Sequence, residues 1–445
     1  MKRRTTIICG IGLGALLFAA GAFGVIRSSG RSTATAAVSL TAPAAANGIA
    51  HVSGATLDQT IASLQAHLEE VPGDYVAWAT LGLAYVQQAK VTVNSDYYPK
   101  ADGVLAESLA INDDDNFLAY AGLASLANAR HDFAAAKQHA RRGLLINPYS
   151  NLLYGSLSDA ETQLGEYDAA IADVQRMVDL SPDTSSLSRA SYTWELRGDV
   201  EQAIALMQQA LDDAPTGSSR AFALFCLGEL EFNRGDANSA LMYYRAALDS
   251  APGDAASLQG KAKAEAALGQ TLTAIGDYTM VVGLAPEPSY LIEYGELLES
   301  LGRTAEANEQ FAIFATTQTL FSANGVAQDA DATLFYADHG DPHRALESAE
   351  QGIRTRPFVV MNDAYAWALH VNGRDAEALT QIDKALSTGI DNALFHYHRG
   401  MIELALGDRS EARRSLERAL SINPTFNPLA VPIAMEALER LGASS

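Results

Sequence analysis

The chain has 445 residues, with 31 Lys and Arg against 53 Asp and Glu, for a formal net charge of −22. That length exceeds one ordinary compact domain unless the chain repeats, and the acidic surplus opposes bulk binding to phosphate backbones. With 48% hydrophobic residues and two cysteines, the chain is neither broadly disordered nor a disulfide scaffold nor a Cys-rich metal protein.

Charge is unevenly placed. Residues 1–57 carry Lys2, Arg3, Arg4, Arg27 and Arg31 and no acid. Ile7 to Ile26 is a run of uncharged, mostly apolar residues, long enough as a helix to cross a bilayer core of about 30 Å. The three basic residues before it keep that end in the cytoplasm, and an apolar run longer than a cleaved signal usually has predicts an uncleaved signal anchor over residues 1–26. That places the rest of the chain outside a bacterial cytoplasmic membrane, as a single-pass protein. Cleavage after Ala20-Gly21-Ala22 is the alternative and would give a secreted protein. Cys9 lacks the preceding hydrophobic region that lipid attachment needs. Gly10-x-Gly12-x-x-Ala15 has no acid about twenty residues on, so it is not a dinucleotide loop. Residues 27–56, rich in Ser, Thr, Ala, Gly and Pro, read as a flexible linker.

From residue 57 onward the chain repeats. Gly165, Gly198, Gly235, Gly269, Gly302, Gly340, Gly373 and Gly407 are 33 to 38 residues apart. Five residues after each lies an alanine: Ala170, Ala203, Ala240, Ala274, Ala307, Ala345, Ala378 and Ala412. Where the pattern is complete, a proline follows: Pro182, Pro215, Pro252, Pro286, Pro357 and Pro424. Glycine permits the tight turn that ends a first helix. Alanine lets a second helix approach closely, and proline stops it. Each period is then two antiparallel helices, and one such hairpin buries its apolar face only against a neighbour.

The pattern resembles the tetratricopeptide repeat. Trp78, Leu81, Gly82 and Tyr85 match the first helix of one unit. Leu227, Gly228, Gly235, Ala240, Tyr244, Ala247 and Pro252 form a nearly complete one, and Gly400, Gly407, Ala412, Leu416, Ala419 and Pro424 form the last. The resemblance implies an all-α, right-handed solenoid of about ten hairpins within residues 57–445. A front helix over 57–70 and a terminal helix near Leu429–Leu441 would cap it. Three departures stand out: an insertion around Lys90–Tyr98, Pro342 after its turn, and the least repeat-like stretch, Phe314–Ala330.

Catalytic motifs are missing: there is no Gly-x-Ser-x-Gly, Gly-Lys-Ser/Thr phosphate loop, His-Glu-x-x-His or Cys-x-x-Cys. Asp113–Asp115 lack the glycine and later glutamate of a calcium loop. His396 and His398 diverge on a helix, and His339 and His343 straddle a turn. Neither pair predicts a metal, and no cofactor is expected. Cys226 lies inside a first helix, where a buried, inert thiol is the expectation.

The resemblance implies an inner groove lined by first helices that grips an extended peptide or a partner helix. The repeat phase points Asn128, Asp159, Arg189, Tyr192, Glu195, Phe225, Glu229, Phe232, Lys263, Glu293, Glu296, Trp367, His370 and Tyr397 inward. That aromatic and acidic mixture suits a basic or amphipathic segment. The Lys/Asn clamp with which some relatives hold a C-terminal carboxylate does not appear. The expected function is a non-catalytic, membrane-tethered protein-binding scaffold or assembly factor. The rivals are a secreted protein that binds peptides or cell-wall fragments, and an enzyme with an unrecognised site near the Tyr97 insertion or the 314–330 stretch.

Overall fold

The computed structural model describes residues 54–327 and 330–443, with side chains from Leu57 onward. The anchor or signal expected at 1–26 and residues 27–53 of the expected linker lie outside the described residues. Among the described residues no helix is long and apolar enough to cross a membrane.

The described residues form 22 helices and no strand. Helix α1 (Gly54–Glu70) stands alone at the front. Ten antiparallel hairpins follow. They are α2–α3 (Tyr75–Thr92, Tyr97–Ile111), α4–α5 (Phe117–Ala129, Phe133–Ile146), α6–α7 (Asn151–Gln163, Tyr167–Leu180), α8–α9 (Thr184–Glu195, Val200–Asp212) and α10–α11 (Gly217–Asn233, Ala237–Ser250). Then come α12–α13 (Ala255–Ala267, Thr271–Leu284), α14–α15 (Pro288–Ser300, Thr304–Ala323), α16–α17 (Ala330–Asp338, Pro342–Thr355), α18–α19 (Val359–Val371, Asp375–Ala385) and α20–α21 (Ala393–Leu406, Arg409–Ile422). Helix α22 (Ala430–Gly442) covers the last hairpin.

Glycine takes a left-handed conformation that closes the first helix, as at Gly235 with φ +92°. At four of the eight glycine turns the next residue is an aspartate that caps the second helix. Asp199, Asp236, Asp341 and Asp408 each accept from the backbone amide three residues on, a bond worth about 1 kcal/mol. Two earlier units make the same turn without glycine: His131 stands at φ +60° and Val93 at φ +50°. The eight motif alanines are 0–1% exposed, so each sits where the paired helices touch. Pro342 is no breaker, because it occupies the first turn of α17, where its missing N–H costs nothing.

Helices pack on their neighbours and next-but-one neighbours, but the turns also meet across the solenoid. The amide of Val359 donates to the Tyr167 hydroxyl at 3.0 Å, and Arg356 Nε donates to Gln163 Oε1. A Cβ placed on Gly165 would lie 3.0 Å from Pro357 O. On Gly198 it would lie 2.3 Å from Gly389 O, and on Gly235 2.6 Å from Ile422 O. Asn423 Nδ2 donates to Phe232 O at 2.7 Å. The partners in this seam are about 190 residues apart, which is between five and six repeats. One superhelical turn therefore rests directly on the next.

The two irregular stretches of the sequence meet each other at the same seam. Helix α15 runs on to Ala323, and Asn324 Nδ2 donates to Ser95 Oγ at 3.0 Å and Asp96 Oδ1 at 3.2 Å. Ala327 N donates to Arg130 O at 3.2 Å, and the His131 ring lies 3.1 Å from Ala327 O. The insertion after Lys90 and the non-repetitive 314–330 stretch are two halves of one contact.

Candidate functional site

The residues expected on the inner face all lie on first helices and fall into three clusters. In the first, Arg189 and Asp159 form a buried, bidentate pair, with Nε and Nη2 each 2.7 Å from a carboxylate oxygen. Arg189 Nη1 also donates to Ser185 Oγ at 2.6 Å. Asn128, one unit earlier, donates to Ser156 O at 2.9 Å. Tyr192 is buried near this cluster, and burial pushes its hydroxyl well above the usual tyrosine range.

The second cluster is the most polar and spans α8, α10, α12 and α14. Lys263 Nζ lies 2.8 Å from both oxygens of Glu229 and 4.7 Å from the centre of the Phe232 ring. The Tyr244 hydroxyl donates to Glu229 Oε1 at 2.5 Å, and Phe225 packs on Tyr244. Glu293 Oε2 accepts from Gln259 Nε2 and from the Tyr278 hydroxyl at 3.1 Å. Asn427 Nδ2 donates to Glu296 Oε2 at 3.0 Å, while Glu296 Oε1 has no hydrogen-bond partner in the protein. Asn233 Nδ2 lies 3.3 Å from Glu195 Oε1. Burial raises three carboxyls of this cluster, those of Glu195, Glu293 and Glu296. Glu195 is pushed up to about 7, and Glu293 and Glu296 also rise, Glu296 helped by the Glu293 charge.

The third cluster, on α16, α18 and α20, is aromatic. Trp367 Nε1 donates to Asp338 Oδ1 at 2.6 Å, and its ring stacks on His370 at 4.7 Å and His398 at 4.3 Å. His398 Nδ1 lies 2.8 Å from Asp363 Oδ1, both residues being fully buried. Tyr397 is 1% exposed and packs on Trp367 and Phe426. His370 Nδ1 lies 2.6 Å from Asp375 Oδ1, outside this core.

A cavity of about 270 Å³ opens beside the second cluster. Phe232, Lys263, Tyr278, Glu293 and Glu296 form one wall, and Leu394 and the segment Asn423–Pro432 form the other. That segment was not among the residues expected from the repeat phase. Asn423-Pro424 and Asn427-Pro428 recur four residues apart, but nothing local in them reveals that they reach α10 and α14. Phe225, Trp367 and Tyr397 sit on first helices as expected and are 4% exposed or less, buried by their neighbours.

The other motifs singled out in the sequence have local structural roles. Asp113 accepts from the Tyr120 hydroxyl, and Asn112 Oδ1 accepts from the amides of Asp114 and Asp115. Among the described residues no group of three or more His, Cys, Asp or Glu is placed to hold a metal ion. Cys226 is buried, and its thiol is pushed well above its usual range by burial.

Residues 197–255 and residues 393–426 each match a family model described as tetratricopeptide repeat. Among solved structures, a tetratricopeptide repeat protein from Parabacteroides merdae ATCC 43184 is 20% identical. It aligns over 58% of this chain and 98% of its own, with a TM-score of 0.34. A structure of the APC/C hetero-tetramer Cut9–Hcn1 is 15% identical over 82% of this chain and 76% of its own, at 0.45. The human IFIT1 dimer with m7Gppp-AAAA is 14% identical over 74% and 77%, at 0.47. No curated protein sequence matches the chain.

Proposed function

We propose that the chain, whose residues 197–255 and 393–426 match tetratricopeptide-repeat models, is a non-catalytic scaffold whose inner face holds a basic or amphipathic segment of a partner protein. The observation that carries this reading is the second cluster. Lys263 pairs with Glu229 and acts on Glu293, and Glu293 and Glu296 line a cavity with aromatic and aliphatic walls. Carboxylates in such a setting favour a positively charged guest and set its direction, while the aromatic surface supplies contact area. The pair Asp159–Arg189 is already mutually satisfied and acts as support.

The reading includes a tether. Residues 1–26 hold the solenoid to the outer side of a bacterial cytoplasmic membrane as a single-pass anchor, and residues 27–53, up to the start of α1, give it reach. Support comes from the uncharged run Ile7–Ile26 preceded by Lys2, Arg3 and Arg4.

Crosslinking in intact membranes, followed by capture of the full chain, tests both parts. The expected result is a partner crosslinked through α10, α12 or α14, with the N-terminus of the mature protein retained. A mature N-terminus that begins after Ala22 would remove the tether. Partners crosslinked solely to the outer helices would remove the inner-face reading.

A further inference from the structure

The charges around the cavity do not balance. Glu229 and Lys263 neutralise each other through two contacts of 2.8 Å. Among the described residues, neither Glu293 nor Glu296 forms an ion pair. Glu296 is 1% exposed, and its Oε1 lacks a partner, a costly state for a buried acceptor. Burial raises both carboxyls even though Lys263, Gln259 and Tyr278 favour the charged form of Glu293 and Asn427 that of Glu296, so the negative charge there is only partly supported by the protein itself. An anionic guest would meet the same two carboxyls, and a wholly apolar one would leave them unanswered.

The cavity, about 270 Å³ in volume and open on one side, has room for a short aliphatic stem with a charged head. Leu297, Leu394 and Phe426 offer apolar contact to a stem, and Pro424, Pro428 and Pro432 form an exposed rim.

We propose that this cavity is a receptor for the cationic head of an aliphatic ammonium or guanidinium, paired with Glu293 and Glu296. The chemistry is carried either by a lysine or arginine side chain of a bound segment, in which case the proposal rests on the inner-face reading above, or by a free small amine.

Titration calorimetry on the full chain separates these sources. The probes are n-butylammonium and n-butylguanidinium, with 1-butanol and butyrate as neutral and anionic counterparts. A lysine–leucine amphipathic decapeptide and its N-acetyl-lysine version form the second arm. Saturable binding of the two cations and not of the alcohol or the acid is expected. Glu296→Gln and Glu293→Gln should each weaken it tenfold or more, roughly the value of a hydrogen bond to a charged group. Ala266→Met narrows the cavity while sparing both carboxyls, and gives the same loss. Glu436→Gln, on the exposed face of α22, leaves binding unchanged. If the decapeptide binds, butylammonium competes with it and acetylation abolishes it, the source is a side chain. If butylammonium binds and the decapeptide does not, the cavity stands as a small-amine site and the inner-face reading falls. If the decapeptide binds but ignores both butylammonium and Glu296→Gln, the inner-face reading stands and the cavity proposal is overturned. Binding of butanol or butyrate as tight as that of butylammonium overturns it as well.

Discussion

Replacing Gly198 with alanine separates two roles that the same motif position plays along the solenoid. Gly198 and Gly269 have nearly the same backbone, with φ +77° and +73°. An alanine in that left-handed region costs about 1–2 kcal/mol at either site. Their surroundings differ. A Cβ on Gly269 would meet nothing within 4 Å, whereas one on Gly198 would lie 2.3 Å from the carbonyl oxygen of Gly389. That oxygen belongs to backbone in the next superhelical turn, so the two turns must part. Overpacking of this kind typically adds about 1–3 kcal/mol. Gly269→Ala should therefore lose about 1–2 kcal/mol with its shape intact. Gly198→Ala should lose about 2–5 kcal/mol and expand. Urea denaturation gives the energies, and small-angle scattering of the folded variants gives the radius of gyration. Equal losses and equal radii for the two variants would mean that the seam is not closed in solution, and the reasoning fails.

Other consequences follow from the same geometry. Arg189→Met leaves Asp159 buried without its partner and should cost about 3–5 kcal/mol. The double variant Asp159→Leu with Arg189→Met should recover most of that loss, and denaturation curves of the three proteins check it. Asn427→Ala removes the amide donated to Glu296 and the acceptor for the Leu429 and Ala430 amides. Hydrogen exchange should then quicken across 427–433 while α8 and α9 stay protected. The inward carboxyls predict a pH dependence. Glu195 titrates near 7 in the folded chain and near 4.3 when unfolded, so between those values the folded state holds the extra proton. The stability that Glu195 contributes is complete below about pH 4.3 and is lost as pH rises through about 7, and Glu293 and Glu296, also raised by burial, act in the same direction. Asp391, held low by His396 and Arg418, acts oppositely and only at more acidic pH. The melting temperature should be higher at pH 5.5 than at pH 8, and a flat or rising profile would count against this balance.

The hairpins were legible because their determinants are local. A glycine and an alanine five residues on, joined at half of the turns by a capping aspartate, specify a turn and a close helix contact within half a repeat. The same logic passed over His131 and Val93, which take the left-handed turn with side chains that ordinarily avoid it. It placed Trp367, Tyr397 and Glu296 on the inner face but gave no sign of how deeply they are covered. Their depth depends on superhelical pitch, which accumulates from small rotations between units and appears in no single repeat. For that reason Gly235 against Asn423, and Ser95 against Asn324, were beyond reach of pattern reading. The sequence did mark Lys90–Tyr98 and Phe314–Ala330 as irregular, and the fold explains why: they contact each other rather than continue the repeat.

The central claim is that successive superhelical turns touch. Spin labels on the exposed residues Glu166 and Thr355 measure this directly by pulsed electron resonance, in a chain with Cys9 replaced by serine and the buried Cys226 retained. Gly165 and Pro357 are in contact, and each chain step is about 3.8 Å, so the labelled Cα atoms lie within about 18 Å. One short, narrow distance is the predicted result. A broad distribution centred well beyond that range would show an open coil, and the cavity would go with it.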